Sequence, residues 1–197
     1  MQEIAKSQLV IPELQSERLL LRMMKEDEAP KVVEYHLKNK DHLKDYSPAY
    51  SDDYFTQEYW RNQLAANLEE FRSDRSLRLF IFEKNDRKTV IGTVNFSNFV
   101  RRAAQYCVLG YGIDKEKQSL GYMTEALKVA CEYVFEELNL HRIMANYIPV
   151  NEKSARVLKK LGFVVEGYAR DYLYLNGKWQ DHILTSLTNS NWQEPRN

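Results

Sequence analysis

Apolar positions along the chain change period several times, and each change predicts an element. Residues 18–24, RLLLRMM, form a short apolar run that predicts a first strand, and a polar turn, KEDEAP, leads from it into the helical stretch KVVEYHLKNK. The next segment, DHLKDYSPAYSDDYF, is dense in Asp, Ser, Pro and Tyr and predicts an ordered loop. Thr56 is then placed to cap a second helix, with Trp60, Leu64, Leu68 and Phe71 on one face at helical spacing.

From Leu77 the alternation is that of a sheet. LRLFIFEK, TVIGTVNFSNF and AQYCVLGYGI, joined by short links, predict an antiparallel meander. A third helix follows, with Leu120, Met123, Leu127, Ala130, Val134 and Leu138 as its expected buried stripe, and then a strand, HRIMANYI. The fourth helix, NEKSARVLKKLGF, has Asn151 at its N-cap and Gly162 as a left-handed C-terminal residue. The hairpin signal Asn176-Gly177 joins two closing strands, VVEGYARDYLYL and KWQDHILTSL. About seven strands and four helices in this order fit an α/β (α+β) fold on a mixed, mostly antiparallel twisted sheet. One domain over 1–197 is expected, with its core at about 17–189 and loose ends.

Composition narrows the function classes. Basic and acidic residues balance at 28 each, so no net field draws the chain onto nucleic acid or an anionic membrane, and no direct sequence-specific nucleic-acid binding is expected. No apolar run nears the ~18 residues of a membrane span. The start, MQEIAKSQLVIPELQ, has no charged head followed by an apolar signal core, so the expected location is the cytoplasm, with no membrane partner. Cys107 and Cys131 have no CxxC or Cys/His spacing and are expected to be reduced, packed thiols. His36, His42, His141 and His182 lack metal-ligand spacing, so no metal is expected and all four are taken as structural.

The stretch with most chemical content is the turn Gln118-Ser119-Leu120-Gly121-Tyr122-Met123, which passes from the apolar segment CVLGYGI into the third helix. A helix start exposes several backbone N–H groups without internal partners, and the helix dipole adds roughly half a positive charge. Such a turn suits a phosphate, and a glycine lets the ligand reach the amides. Plain capping also accounts for a lone glycine here. The stretch contains neither GxxxxGK[ST] nor GxGxxG, which argues against ATP and dinucleotides.

The combination is more specific than its parts. A strand ending in YGI, Gln118-x-x-Gly121-x-Met123 at a helix head, then Asn151-Glu152-Lys153-Ser154 leading to Leu161-Gly162-Phe163, resembles the GNAT superfamily of acetyl-CoA-dependent N-acetyltransferases. VNFSNFVR, HRIMANYIPVN and EGYARDYLYLNGKWQDHILTSLT make it similar, within that superfamily, to the RimJ-type ribosomal-protein-alanine N-acetyltransferases. The resemblance runs from Glu17 to the closing strand. Ser119 departs from it, since family members usually have glycine there, and Met123 stands where the wider superfamily favours glycine or alanine.

The resemblance implies a GNAT-like domain whose central strands splay to admit acetyl-CoA, the co-substrate. The pyrophosphate would rest on the amides of Gln118, Ser119, Leu120, Gly121, Tyr122, Met123 and Thr124, and backbone groups from Leu109 through Tyr111, Gly112 and Ile113 would hold the pantetheine arm. Asn151 and Ser154 would flank the sulfur end, although capping alone also explains Asn151. Ser154 is the candidate hydrogen-bond donor to the departing thiolate. An α-amino group titrates near ~8, so a strong general base is optional. Asp171, Glu166 and the tyrosines of YARDYLYL are open candidates for relaying its proton.

The implied acceptor is a ribosomal-protein N-terminus, the alanine of small-subunit protein five, with the assembling small ribosomal subunit as a candidate partner. Asp52, Asp53, Glu58, Glu69 and Glu70, in or near the loop and second helix, would either meet a basic polypeptide or form an ordinary solvated face. Two alternatives stay open: acetylation of a small amine such as a polyamine or aminoglycoside, and a non-catalytic ribosome-assembly binding protein.

Overall fold

The computed structural model describes residues 10–194. Eight strands form one sheet in the order β1-β2-β3-β4-β5-β6-β8-β7. These are β1 (Glu13–Gln15), β2 (Leu19–Arg22), β3 (Leu77–Glu83), β4 (Gly92–Val100), β5 (Tyr106–Ile113), β6 (Arg142–Tyr147), β7 (Val164–Leu175) and β8 (Lys178–Thr188). Every neighbouring pair is antiparallel except β5 with β6, which is parallel.

The helices are α1 (Ala29–Leu43), α2 (Gln57–Arg72), α3 (Tyr122–Glu136) and α4 (Glu152–Lys160). Short 3-10 turns occupy Glu26–Glu28, Lys44–Tyr46, Asp52–Phe55 and Lys115–Lys117. α2 starts where Thr56 accepts a hydrogen bond from the Tyr59 N–H, and α4 where Asn151 does the same for Ser154. Gly162 has φ of 85°, and Asn176-Gly177 has 44° and 81°, the paired positive values of a tight hairpin.

The sheet has a core on each face. Leu19, Leu21, Leu79 and Ile81 pack with the buried stripes of α3 and α4, while Leu20, Phe80 and Phe82 meet Val32 and Tyr35 of α1 and Trp60 and Leu64 of α2. Alternate residues of one strand thus serve opposite cores. A fully buried Leu or Phe of this kind contributes about 2 kcal/mol.

Several expectations change. The first strand runs only from Leu19 to Arg22, and a shorter one, Glu13–Gln15, precedes it, bringing the count to eight and placing ordered structure before residue 17. Three residues, ELQ, carry too little alternation to announce a strand. α1 extends through Leu43 into the stretch expected to be loop. Leu120 is not part of the α3 stripe. It lies in the turn before the helix, 50% exposed, whereas Met123, Leu127, Ala130 and Val134 are buried as the period requires, and Leu138 is buried but lies past the helix end at Glu136. At the C-terminal end Asn139 donates to the Gln193 carbonyl, so the tail is tied down that far. The remaining loose-end expectation, at 1–9 and 195–197, lies outside the described residues.

Candidate active site

The site begins where two strands part. β5 and β6 pair over Tyr106↔Arg142, Cys107↔Ile143 and Val108↔Met144, and no pairing follows. On that side, among the described residues, the backbone groups of Leu109 to Ile113 have no strand partner, which leaves donors and acceptors along an open edge. On its other side the same stretch of β5 stays in register with β4, as Thr93↔Gly112 and Phe96↔Leu109 show.

Asp114 ends β5 and fixes the approach to the turn. Its side chain is buried, accepts from the Glu116 N–H at 2.8 Å, and faces Asn39 Nδ2 at 3.3 Å and Lys38 Nζ at 3.0 Å, all of which favour the carboxylate. The chain then passes Ser119, with φ of 61°, and Gly121, with φ of 83°, into α3. Gly121 is the N-cap and offers no side chain, so among the described residues the start of α3 has no side-chain cap. Its first N–H groups point out of a helix end whose dipole is positive.

Arg18 braces this turn from beneath. Its guanidinium donates to the Leu120 carbonyl at 3.1 Å, pairs with Glu125 at 2.6 Å and lies 4.4 Å from the centre of the Tyr122 ring. The Tyr122 hydroxyl donates to Glu83 at 2.6 Å, and Lys117 pairs with the same carboxylate at 2.7 Å. The Lys117 hydrogen bond is the chief cause of the lowered Glu83 pKa.

α4 closes the other wall. Asn151 Oδ1 accepts from the Ser154 N–H at 3.1 Å, and Ser154 Oγ lies 2.7 Å from the Tyr111 hydroxyl on β5. Burial pushes the Tyr111 hydroxyl up to about 12. Lys153 donates to Gln118 Oε1 at 2.6 Å, and Gln118 Nε2 lies 2.8 Å from His42 Nε2. One glutamine therefore links α1, the turn and α4. Desolvation is the largest influence on His42 and lowers its pKa, which keeps the ring neutral and able to accept from Gln118.

Between these elements lies a cleft of about 660 Å³. Tyr111, Gly112, Ile113, Gln118, Ser119, Gly121, Tyr122, Met123, Thr124, Asn151 and Ser154 all line it. Leu120 does not, since its carbonyl turns to Arg18. Sequence reasoning missed the basic members of the lining, Lys115, Lys117, Lys153, Arg156 and Lys160, and also His42. The lysine and arginine spacing on α4 was a usable signal, but a run of charge on a helix reads equally well as a solvated face. For His42 there was no signal.

The profile of the acetyltransferase (GNAT) domain matches residues 18–164, which covers the open β5 edge, the turn and α4. The chain belongs to the GNAT acetyltransferase family. It is 38% identical over 183 residues to the [ribosomal protein uS5]-alanine N-acetyltransferase of Escherichia coli strain K12, covering 93% of this chain and 94% of that protein. Among solved structures it resembles the ribosomal-protein-S5-alanine acetyltransferase of Vibrio fischeri, with TM-score 0.89, 40% identity and coverage of 93% and 100%. The RimJ of Mycobacterium smegmatis in complex with CoA-disulfide is similar at TM-score 0.83 and 25% identity, with coverage of 93% and 89%.

The residues of this GNAT chain fit an acyl-CoA. Uncapped amides and lysines suit a pyrophosphate, and the unpaired edge of β5 suits the amide-bearing arm. The candidates for proton relay sit elsewhere. Glu166 is held by Ser186 and Arg142, with the Ser186 hydrogen bond first among the causes lowering its pKa, the opposite of what a base near neutrality needs. The Asp171 N–H donates to Asp181, whose carboxylate also accepts from Tyr168. None of Glu166, Tyr168 or Asp171 lines the cleft. Among the acidic residues offered for substrate attraction, Glu69 accepts from Ser73, and Glu70 accepts from Ser76 and faces Arg78 at 3.6 Å, so both serve the end of α2. His36 stacks on Trp60 at 4.7 Å and His182 is buried. Cys107 and Cys131 are free and buried.

Proposed function

We propose that this protein transfers an acetyl group from acetyl-CoA to the N-terminal α-amino group of a protein, the alanine terminus of ribosomal protein uS5. The observation that carries the reading is the unpaired edge of β5 opening onto an uncapped helix start, in a chain 38% identical to a uS5-alanine N-acetyltransferase over nearly its full length.

In this reading the amides from Gln118 to Thr124 hold the pyrophosphate, with Lys153 supplying charge beside them. Backbone groups of Tyr111, Gly112 and Ile113 hold the arm and polarise the acyl carbonyl. Acetyl-CoA supplies an activated acyl group, so no nucleophile from the protein is required. Asn151 caps α4 and thereby sets the position of Ser154, whose hydroxyl donates to the departing sulfur. Asp45 and Tyr46, at the cleft beside α1, lie on the acceptor side, and Asn176 of the β7–β8 hairpin donates to Asp45 at 3.3 Å. We place the reaction in the cytoplasm, on uS5 free or within the assembling small subunit. No helix among the described residues is long and apolar enough to cross a membrane.

The test is thiol release from acetyl-CoA with a peptide carrying the uS5 N-terminal alanine, the same peptide with its amine blocked, and spermidine, each with wild type and Gly121→Trp. Release that needs the free alanine amine and collapses in the variant is expected. Turnover of spermidine with none of the peptide would move the substrate class to small amines. A folded protein that releases no thiol with either the alanine peptide or spermidine would overturn the enzyme reading.

A further inference from the structure

Ser154 is the one hydroxyl assigned to the leaving sulfur, and a serine hydroxyl alone is a poorly directed donor. It rotates, and near a helix start it can turn to nearby backbone groups. In this chain it has a specific neighbour. The Tyr111 oxygen lies 2.7 Å from Ser154 Oγ, while the Ser154 carbonyl lies farther from it at 3.5 Å. Both side chains line the cleft, one from β5 and one from α4.

We infer that Tyr111 is the positioning residue for Ser154: its hydroxyl donates to Ser154 Oγ, so that the single Ser154 proton is directed at the departing thiolate. The inference rests on the proposed role of Ser154 in acetyl transfer. The direction of the bond follows from acidity, since a phenol is a far stronger donor than an aliphatic alcohol. Once Tyr111 occupies a lone pair of Oγ, the Ser154 O–H is the free end of the chain, and the cleft is what it faces. Chained donors also polarise one another, which strengthens the terminal bond.

Tyr111 does not give up its proton in this scheme. Burial holds that proton more tightly than a thiol with a pKa near ~8.5 would, so transfer along the chain to sulfur runs uphill. The C–S bond breaks as the amine forms its bond to the acyl carbon. The amine sheds a proton to solvent, and the sulfur, first stabilised as thiolate by Ser154, takes one from solvent. No oxidant, reductant or further reactant enters.

Tyr111→Phe keeps the ring that packs against the core and removes only the hydroxyl, so folding is preserved. Two readouts on wild type, Tyr111→Phe, Ser154→Ala and the double variant test the inference. The first needs no turnover: the thiol pKa of bound CoA, from thiolate absorbance in the ultraviolet as a difference against the S-methyl thioether of CoA. It is expected to rise by about one pH unit in Ser154→Ala, by about half that in Tyr111→Phe, and no further in the double variant. The second is kcat with the alanine peptide, where Tyr111→Phe should cost about threefold alone and nothing in the Ser154→Ala background, with the acetyl-CoA KM unchanged. Additive losses would show that Tyr111 does not act through Ser154 and would overturn the inference. If Ser154→Ala itself moves neither readout, the assigned role of Ser154 fails first, with acetyl transfer by this site still standing.

Discussion

Ser119 and Gly121 make a pair of opposite predictions about the same turn. Both have left-handed backbone, with φ of 61° and 83°. An L side chain in that region costs about 1–2 kcal/mol. A glycine in the same place gives back about 0.4–1 kcal/mol through the greater freedom of the unfolded chain. Ser119→Gly should therefore stabilise the protein by about 0.5–1 kcal/mol, which for a chain of this size raises Tm by about 1–4 °C. Gly121→Ala reverses both effects. Its new Cβ also stands 3.4 Å from the Arg18 guanidinium, a tight contact that the ion pair with Glu125 resists relieving. It should lower Tm by at least as much and raise the acetyl-CoA KM, whereas Ser119→Gly leaves that KM unchanged or lower. Scanning calorimetry of the two single variants and the double variant measures all three shifts, and the double should fall near wild type. A lower Tm for Ser119→Gly would refute the reasoning, because it would mean the serine is held there by contacts worth more than its backbone strain.

Ser154→Ala should lower kcat about tenfold with the acetyl-CoA KM within twofold; steady-state kinetics would remove the residue from the chemical step if only KM moved. Lys153→Met frees Gln118 and removes a charge from the cleft, so CoA should bind several-fold more weakly and with less dependence on salt, as titration calorimetry at two ionic strengths would reveal. Glu28 is held mainly by its hydrogen bond from Arg22, at about 2 in the fold against 4.5 as the ordinary value. A depressed carboxyl stabilises above its unfolded pKa, so the advantage of wild type over Glu28→Gln in urea midpoint should be full above about pH 4.5 and fade towards pH 2. At pH 7 a peptide whose only free amine is a lysine should react at least ~100-fold more slowly than the alanine terminus, with the gap narrowing to about 25-fold at pH 9.

The periodic elements were legible because burial is periodic. The α3 stripe from Met123 to Val134 and the caps at Thr56 and Asn151 need only neighbours in sequence. Leu120 failed because it continues the helical spacing backwards past Gly121, where a left-handed residue breaks the helix and turns the leucine out. The β5–β6 opening was expected from resemblance alone, since nothing in HRIMANYI says where pairing ends. Contacts across the fold were invisible for the same reason. Arg18 stands more than a hundred residues before the turn it braces, and His42 meets Gln118 only because α1 runs on to Leu43.

The placement of carboxylates agrees with the kind of amine proposed. Freeing an α-amine with pKa ~8 at pH 7 costs about 1.4 kcal/mol, whereas a lysine near ~10.4 costs about 4.6 kcal/mol. A site built for lysine would need a strong base at the acyl carbon to recover that difference. Glu166 is bound to Ser186 and Arg142 and held in its ionised form, and Asp171 and Tyr168 are tied to Asp181, away from the cleft. Such bonds stabilise the β7–β8 pair but make these groups poor proton acceptors. A chain end can do without them, because solvent alone deprotonates enough of it. The carboxylates that do line the cleft are engaged as well, Asp45 by the Asn176 amide at 3.3 Å and Glu152 by Arg156 at 3.0 Å, so the geometry favours the terminus of a protein over its side chains.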